Sequence, residues 1–285
     1  MFAIGTMAHL FCDMIFTRIV NKGIDIVKLI YPEIDEVIAF IHEHIDEPLP
    51  LSQLAQVAAY SPYHFSRIFK QQTGLSPNHY VSSLKMQKAK NLLLTTDLSI
   101  RDISMEIGQQ SLGTFTTRFT ERVGQTPSQF RKSPEQVDMY LQSLKNLTAW
   151  TQDPSTTSRL RGIEGTIETE HPFQGVILIG LFTKPIPAGL PQYGTLLTSL
   201  GRFAFTDVRS GIYYLMATAV SWEMNEHEIL VPYQTLRAKN DKPIVVGTEI
   251  NIPKQRLLLR GPRLDDPPIL VSLPLLMKNY LNHIN

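Results

Sequence analysis

SPYHFSRIFKQQTGLSPNHY, residues 61–80, and SLGTFTTRFTERVGQTPSQF, residues 111–130, are two copies of one pattern fifty residues apart. Phe65 and Phe69 recur as Phe115 and Phe119. Gly74, Pro77 and Tyr80 recur as Gly124, Pro127 and Phe130. Upstream, Leu51, Leu54 and Ala58 recur as Ile100, Ile103 and Ile107 at an offset of 49, so one turn differs by a residue. A tandem helical unit is the reading.

The boundaries follow from capping chemistry and apolar spacing. A helix over about 33–46 carries Ile34, Val37, Ile38, Ile41 and Ile45 on one stripe. A short one over 52–59 opens at Ser52. The next has Ser61 as N-cap and Pro62 in the first helical position, and stops at Gly74. A long helix over 77–94 joins the units. Helices near 100–107 and 112–123 form the second copy, and 127–132 closes it.

A short helix, a tight turn and a second helix make a helix-turn-helix, whose second helix can lie in the major groove of DNA. Phe65, Ile68 and Phe69 share one face and must be core. Tyr63, Ser66, Arg67 and Lys70 stand opposite, at i, i+3, i+4 and i+7. Arg67 can give two hydrogen bonds to a guanine edge, Tyr63 suits thymine methyls, Ser66 suits a base or a phosphate, and Lys70 suits a phosphate. In the second copy the face is Gly113, Thr116, Thr117 and Thr120, with Ser111 and Thr114 at the helix start. Arg118 replaces Ile68 and is expected at the margin of the buried face, reaching the DNA backbone. Without an arginine on its outer face, the second copy reads bases more weakly. A joining helix of eighteen residues spans about 27 Å, close to one DNA turn.

The pattern resembles the DNA-binding region of AraC/XylS-type bacterial transcription regulators. The residues that carry the resemblance are Ile107, Gly108, Ser111, Phe115, Phe119, Gly124, Thr126, Pro127, Phe130 and Arg131, and it extends over about 33–132. It implies sequence-specific binding of double-stranded DNA through Tyr63, Ser66, Arg67, Lys70, Ser111, Thr114, Thr116, Thr117, Arg118 and Thr120. Many members carry arginine where Thr117 stands here, which again implies that the first unit dominates base readout.

The chain is 285 residues long, which suits two domains. Seven of its 19 prolines and six of its 16 glycines precede residue 150, so its second half is the more punctuated. Residues 134–148 read as a helical linker with Val137, Tyr140, Leu144 and Leu147 at a/d spacing, followed by the polar stretch 152–159. From 160 the signal turns to strands: 165–170, 175–183, 201–208, 212–222, 242–246, 248–252 and 255–261. Gly201, Phe203, Phe205, Val208, Gly211, Tyr213, Leu215 and Ala217 resemble the prealbumin-like sandwich of carboxypeptidase regulatory-like domains. That implies a non-catalytic module over 160–285 that senses a ligand or mediates association. The apolar tail 265–284 is expected to cover a sheet edge or a partner. The fold class expected is therefore two-domain: an all-α tandem helix-turn-helix over 31–133, then the linker over 134–159, then an all-β sandwich.

Composition narrows the function classes. At 43% hydrophobic and 19% charged the chain is neither disordered nor fibrous. Cys12 alone makes no internal disulfide or thiolate metal site, and suits a reducing cytoplasm. The apolar start, residues 1–12, is too short to span a bilayer and lacks a basic leader; no role follows for 1–30. The eight histidines form no His-x-x-x-His pair, and Glu226-His227-Glu228 reads as a solvated loop. No nucleophile elbow, phosphate loop or dinucleotide fingerprint occurs. Some relatives of the family carry a methyl-accepting repair domain, whose chemistry needs several cysteines. No catalytic residue, cofactor or metal is expected.

The net charge of +1 conceals a local excess. Residues 60–132 carry ten Lys/Arg against four Asp/Glu, whereas 33–47 carry six Asp/Glu and no Lys/Arg. An excess of +6 is modest, so firm operator binding is expected to need a dimer or an effector. The expected partner is double-stranded DNA, with a small-molecule effector at the C-terminal domain and a homodimer left open. The alternative is a protein-interaction or ligand-binding sandwich with vestigial DNA binding.

Overall fold

The computed structural model describes residues 31–147, 162–247 and 252–284. Cys12, the N-terminal segment, the polar stretch 152–159 and most of 248–252 lie outside them.

The helical half comprises α1 (Pro32–Glu43), α2 (Leu51–Val57), α3 (Pro62–Thr73), α4 (Pro77–Thr95), α5 (Ile100–Glu106), α6 (Leu112–Val123), α7 (Pro127–Arg131) and α8 (Pro134–Leu147). The expected ends of α3 are in place, Ser61 at its start and Gly74 at its stop. Ser61, Ser99, Ser111 and Thr126 each accept a backbone N–H three residues on. Gly74 and Gly124 end α3 and α6 in the left-handed conformation, at φ +84° and +89°. α2 starts one residue earlier than expected, with Pro50 before it, and α1 ends at Glu43.

The repeat also holds at the level of packing. Phe65 and Phe69 lie 5.5 Å apart, and Phe69 meets Tyr80 at 5.4 Å. Phe115 and Phe119 lie 5.7 Å apart, and Phe119 meets Phe130 at 5.6 Å. All six rings are fully buried. The same aromatic trio thus anchors the second helix of each unit to the helix that follows it.

The second half is built on a two-sheet sandwich. Strands β4 (Gly201–Phe205), β1 (Ile163–Thr169) and β8 (Gln255–Leu259) form one sheet. β3 (Tyr193–Leu197), β2 (Gly175–Phe182), β5 (Gly211–Ser221) and β6 (Arg237–Lys239) form the other, with β7 (Ile244–Val246) also pairing with β5. Ile177, Ile179 and Leu181 of β2 meet Ile163, Phe203 and Leu257 in the sandwich core. The alternate residues Val176, Leu178 and Phe182 point the other way, into the core shared with the helices. β2 is therefore buried on both faces, which explains its unbroken apolar run.

Three sequence expectations are corrected. β3 and β6 were not anticipated; they are short, and β3 contains a glycine. Glu226–Leu230 is a helical turn, α9, not a loop, because Asn225 and Glu228 form a reciprocal capping box. The tail forms α10 (Leu273–Ile284) and covers a sheet face rather than an edge. That face, with Val176, Leu178, Met216 and Val220, is apolar and needs a cover. The 134–147 helix packs on α9 and α10 through buried Val137, Tyr140, Leu141 and Leu144.

Candidate nucleic-acid interface

α3 and α6 each bury one side and expose the other. On α3, Tyr63 is 84% exposed and Arg67 and Lys70 are exposed, while Ser66 is half-buried. Among the described residues Arg67 and Lys70 make no hydrogen bond or ion pair, so both can meet a ligand without breaking a contact.

The matching face of α6 is quieter. Thr117 is exposed and Thr116 half-buried. The Thr120 hydroxyl donates to Thr116 O at 2.8 Å, so it is turned back onto its own helix. Ser111 accepts from Thr114 N–H at 3.3 Å, which places this exposed pair at the N-cap, where helix N–H groups favour phosphate.

Arg118 departs from expectation. Ile68 is 3% exposed in the first copy, but Arg118 is exposed, and its guanidinium donates to Gln109 Oε1 at 3.2 Å. Burying an unpaired guanidinium is costly, so the side chain leaves the buried margin for the turn. Gln109 is thereby added to this surface. Its position just after Gly108, at the turn of the second unit, was the signal available in the sequence.

The turn itself repeats. Ala59 stands at φ +55° in the first unit and Gly108 at φ +75° in the second, at the offset of 49. The two helices of each unit are thus set by one left-handed residue.

The local charge is less available than its sum suggests. Lys88 pairs with Asp46 and Glu106. Arg122 donates to Ser82, and Arg131 donates to Leu93 O and Leu98 O. Lys90 is fully buried, and its ammonium reaches Ile269 O and Leu270 O, each at 3.1 Å. Lys85 donates to Glu47 O at 3.2 Å, so five of the ten cations of 60–132 hold the fold together, and the outward field is carried by the rest.

Known proteins show the same organisation. Residues 54–133 match the model of a helix-turn-helix domain family. The regulatory protein SoxS of Escherichia coli is 35% identical over 98 residues, which are 34% of this chain and 92% of SoxS.

The chain belongs to the AraC/XylS-type helix-turn-helix regulators.

Its match to the HTH-type transcriptional regulator YobQ of Bacillus subtilis is 36% identical over 96 residues, 34% of this chain and 40% of YobQ. A crystal structure of an AraC-type regulator from Chromobacterium violaceum is 28% identical, covering 36% of this chain and 91% of its own, with a TM-score of 0.35. The chain spans only 40% of the length of YobQ, and the family match at residues 54–133 lies in the helical half. Among the described residues no group of histidine, cysteine or carboxylate side chains has the arrangement of a metal site. No helix there is long and apolar enough to cross a membrane.

Proposed function

We propose that this chain is a sequence-specific, DNA-binding transcription regulator in which α3 dominates base readout. The observation that carries the reading is the pair of outward helix faces in a duplicated helix-turn-helix, one of them bearing an exposed Arg67 with no partner among the described residues. Arg67 reads a guanine edge, Tyr63 and Ser66 contact bases, and Lys70 meets a phosphate. Thr116, Thr117 and Thr120 offer methyls to thymines in the neighbouring groove segment. Ser111, Thr114 and Arg118 hold the backbone. α4, with 19 residues, spans about 28 Å and sets the two readers about one turn apart. The prealbumin-like sandwich is the sensing or associating half, with no catalytic role, and the protein works in the cytoplasm, alone or as a homodimer.

The test is a gel shift on a duplex selected by the full chain from a random pool. Affinity should fall steeply with salt and survive competitor DNA. Arg67→Ala should cost about 1–3 kcal/mol and relax one base position, and Thr117→Ala should cost less. Parent-like binding by Arg67→Ala, or a larger loss from Thr117→Ala, would overturn the assignment of the dominant reader.

A further inference from the structure

We infer that the cleft between α10 and the outer face of β2, β3 and β5 is an effector site for a neutral, mainly apolar molecule about the size of two fused rings. We infer too that its occupancy is passed to the second recognition helix, α6. The inference rests on the reading above, that a sensing domain is joined to a DNA-binding one.

The cleft holds about 330 Å³. An apolar cavity of about 150 Å³ accepts one benzene ring, so there is room for roughly twice that. Leu178, Phe182, Leu196 and Met216 supply the sheet wall, and Leu276 and Tyr280 the helix wall. Around it the same interface is closed: Val176, Val220 and Met277 are fully buried. Gly180 and Gly194 pair across β2 and β3 on the cleft floor, with Pro191 seated on them.

The lining sets the ligand's chemistry. It includes no lysine, arginine, aspartate or glutamate, and its one imidazole, His283, is exposed near the end of α10, so a charged ligand against the apolar walls would lose its hydration without a buried partner. Thr195, Thr218, Asn279 and the Tyr280 hydroxyl can serve one or two hydrogen-bonding groups. A hydroxyl, carbonyl or amide on an apolar body fits this inventory.

Three lining segments also hold the end of α6. Pro187 and Leu190 line the cleft, and between them Gly189 donates its N–H to Arg122 O at 2.5 Å. Val271 and Leu273 line it, and between them Ser272 donates to Val123 O at 2.9 Å. Leu276 lines it from α10, while its neighbour Leu275 lies against Gly124, where an added Cβ would sit 2.8 Å from Leu275 Cδ2. The last carbonyls of a helix have no partner within it. Here the cleft wall satisfies two of them, so a ligand that moves the wall moves α6.

The test uses the full chain, 1-naphthol as probe and 1-naphthyl phosphate as charged control, with the selected duplex. Calorimetry should show saturable binding of 1-naphthol, with the phosphate about tenfold weaker or worse. The DNA-binding midpoint should shift about fivefold or more. Met216→Trp fills the sheet wall and should abolish both effects while keeping probe-free DNA affinity. Leu276→Trp, on the opposite wall, replaces it if that variant does not fold. No saturable binding of 1-naphthol, or binding untouched by the filling variant, overturns the site. Saturable binding with an unmoved DNA midpoint overturns the transmission to α6. Absence of DNA binding both with and without probe overturns the regulator reading instead, and the naphthol titration still decides the cleft.

Discussion

Lys90 stands in the middle of α4 with no exposed surface, its Nζ 3.1 Å from Ile269 O and Leu270 O and 5.4 Å from the Phe130 ring centre. It joins the DNA-binding half to the segment that leads into α10. Burial in this apolar setting pushes its pKa down to about 7. The unfolded chain holds the proton up to about pH 10.4, so between pH 7 and 10 the unfolded state binds more protons and stability rises with pH. The slope is at most about 1.4 kcal/mol per pH unit. Denaturant midpoints should therefore climb from pH 7 to 9 in the parent and flatten in Lys90→Met; an equal slope in both would refute the buried titration. Lys90→Met also leaves two buried carbonyls unpaired, at about 1–3 kcal/mol each, so it should be less stable than the parent at pH 9. The sequence showed Lys90 only as one cation among ten. Its burial depends on residues some 180 positions away, which no local pattern reports. Arg67 was legible by contrast, because its exposure follows from helical period alone.

At the scale of elements, local chemistry set most boundaries. Each recognition helix has a serine N-cap and a left-handed glycine at its end, and each was placed to within about a residue from those signals. Gly124 has a second duty that only packing reveals. At φ +89° an alanine is strained, and its Cβ would press on Leu275 and Leu190. Gly124→Ala should destabilise the chain by about 1–2 kcal/mol, read from thermal or denaturant unfolding. A neutral effect would mean that α10 does not bear on α6. Strands were harder to read. β3 and β6 have five and three residues, and their pairing to β2 and β5 comes from the long neighbours rather than from their own pattern. The Glu226–Leu230 turn was misread because its acidic residues look solvated. Glu228 in fact accepts from Asn225 N–H at 3.0 Å, and His227 reaches Asn91 Oδ1 of α4 at 2.8 Å.

At the scale of the molecule, one hydrophobic core runs from α1 to α10. It takes Phe65, Phe119 and Leu144 from the helices, Leu178 and Val220 from the outer sheet face, and Leu270 and Met277 from the tail. The sandwich keeps a separate core of its own. Further ties cross the junction: Tyr80 donates its hydroxyl to Leu264 O at 3.2 Å, and α6 accepts from Gly189 and Ser272. A shared core of this kind couples the two halves, so calorimetry of the full chain should show a single cooperative transition. Two resolved transitions would mean that the halves unfold independently, and that a cleft at their junction has little grip on the DNA-binding helices.

The sequence by itself determined the duplicated helix-turn-helix, the exposed faces of its second helices and the β character of the second half. Those follow from capping residues, helical period and strand alternation, all of which act within a few residues of each other. Tertiary structure alone decided that the tail lies on a sheet face, that Arg118 turns to Gln109, and that Lys90 is buried. It also decided that the cleft wall caps α6. Each of these depends on which apolar surface is left uncovered once the local elements have formed, and burial of that surface is a non-directional force that no short stretch of sequence encodes.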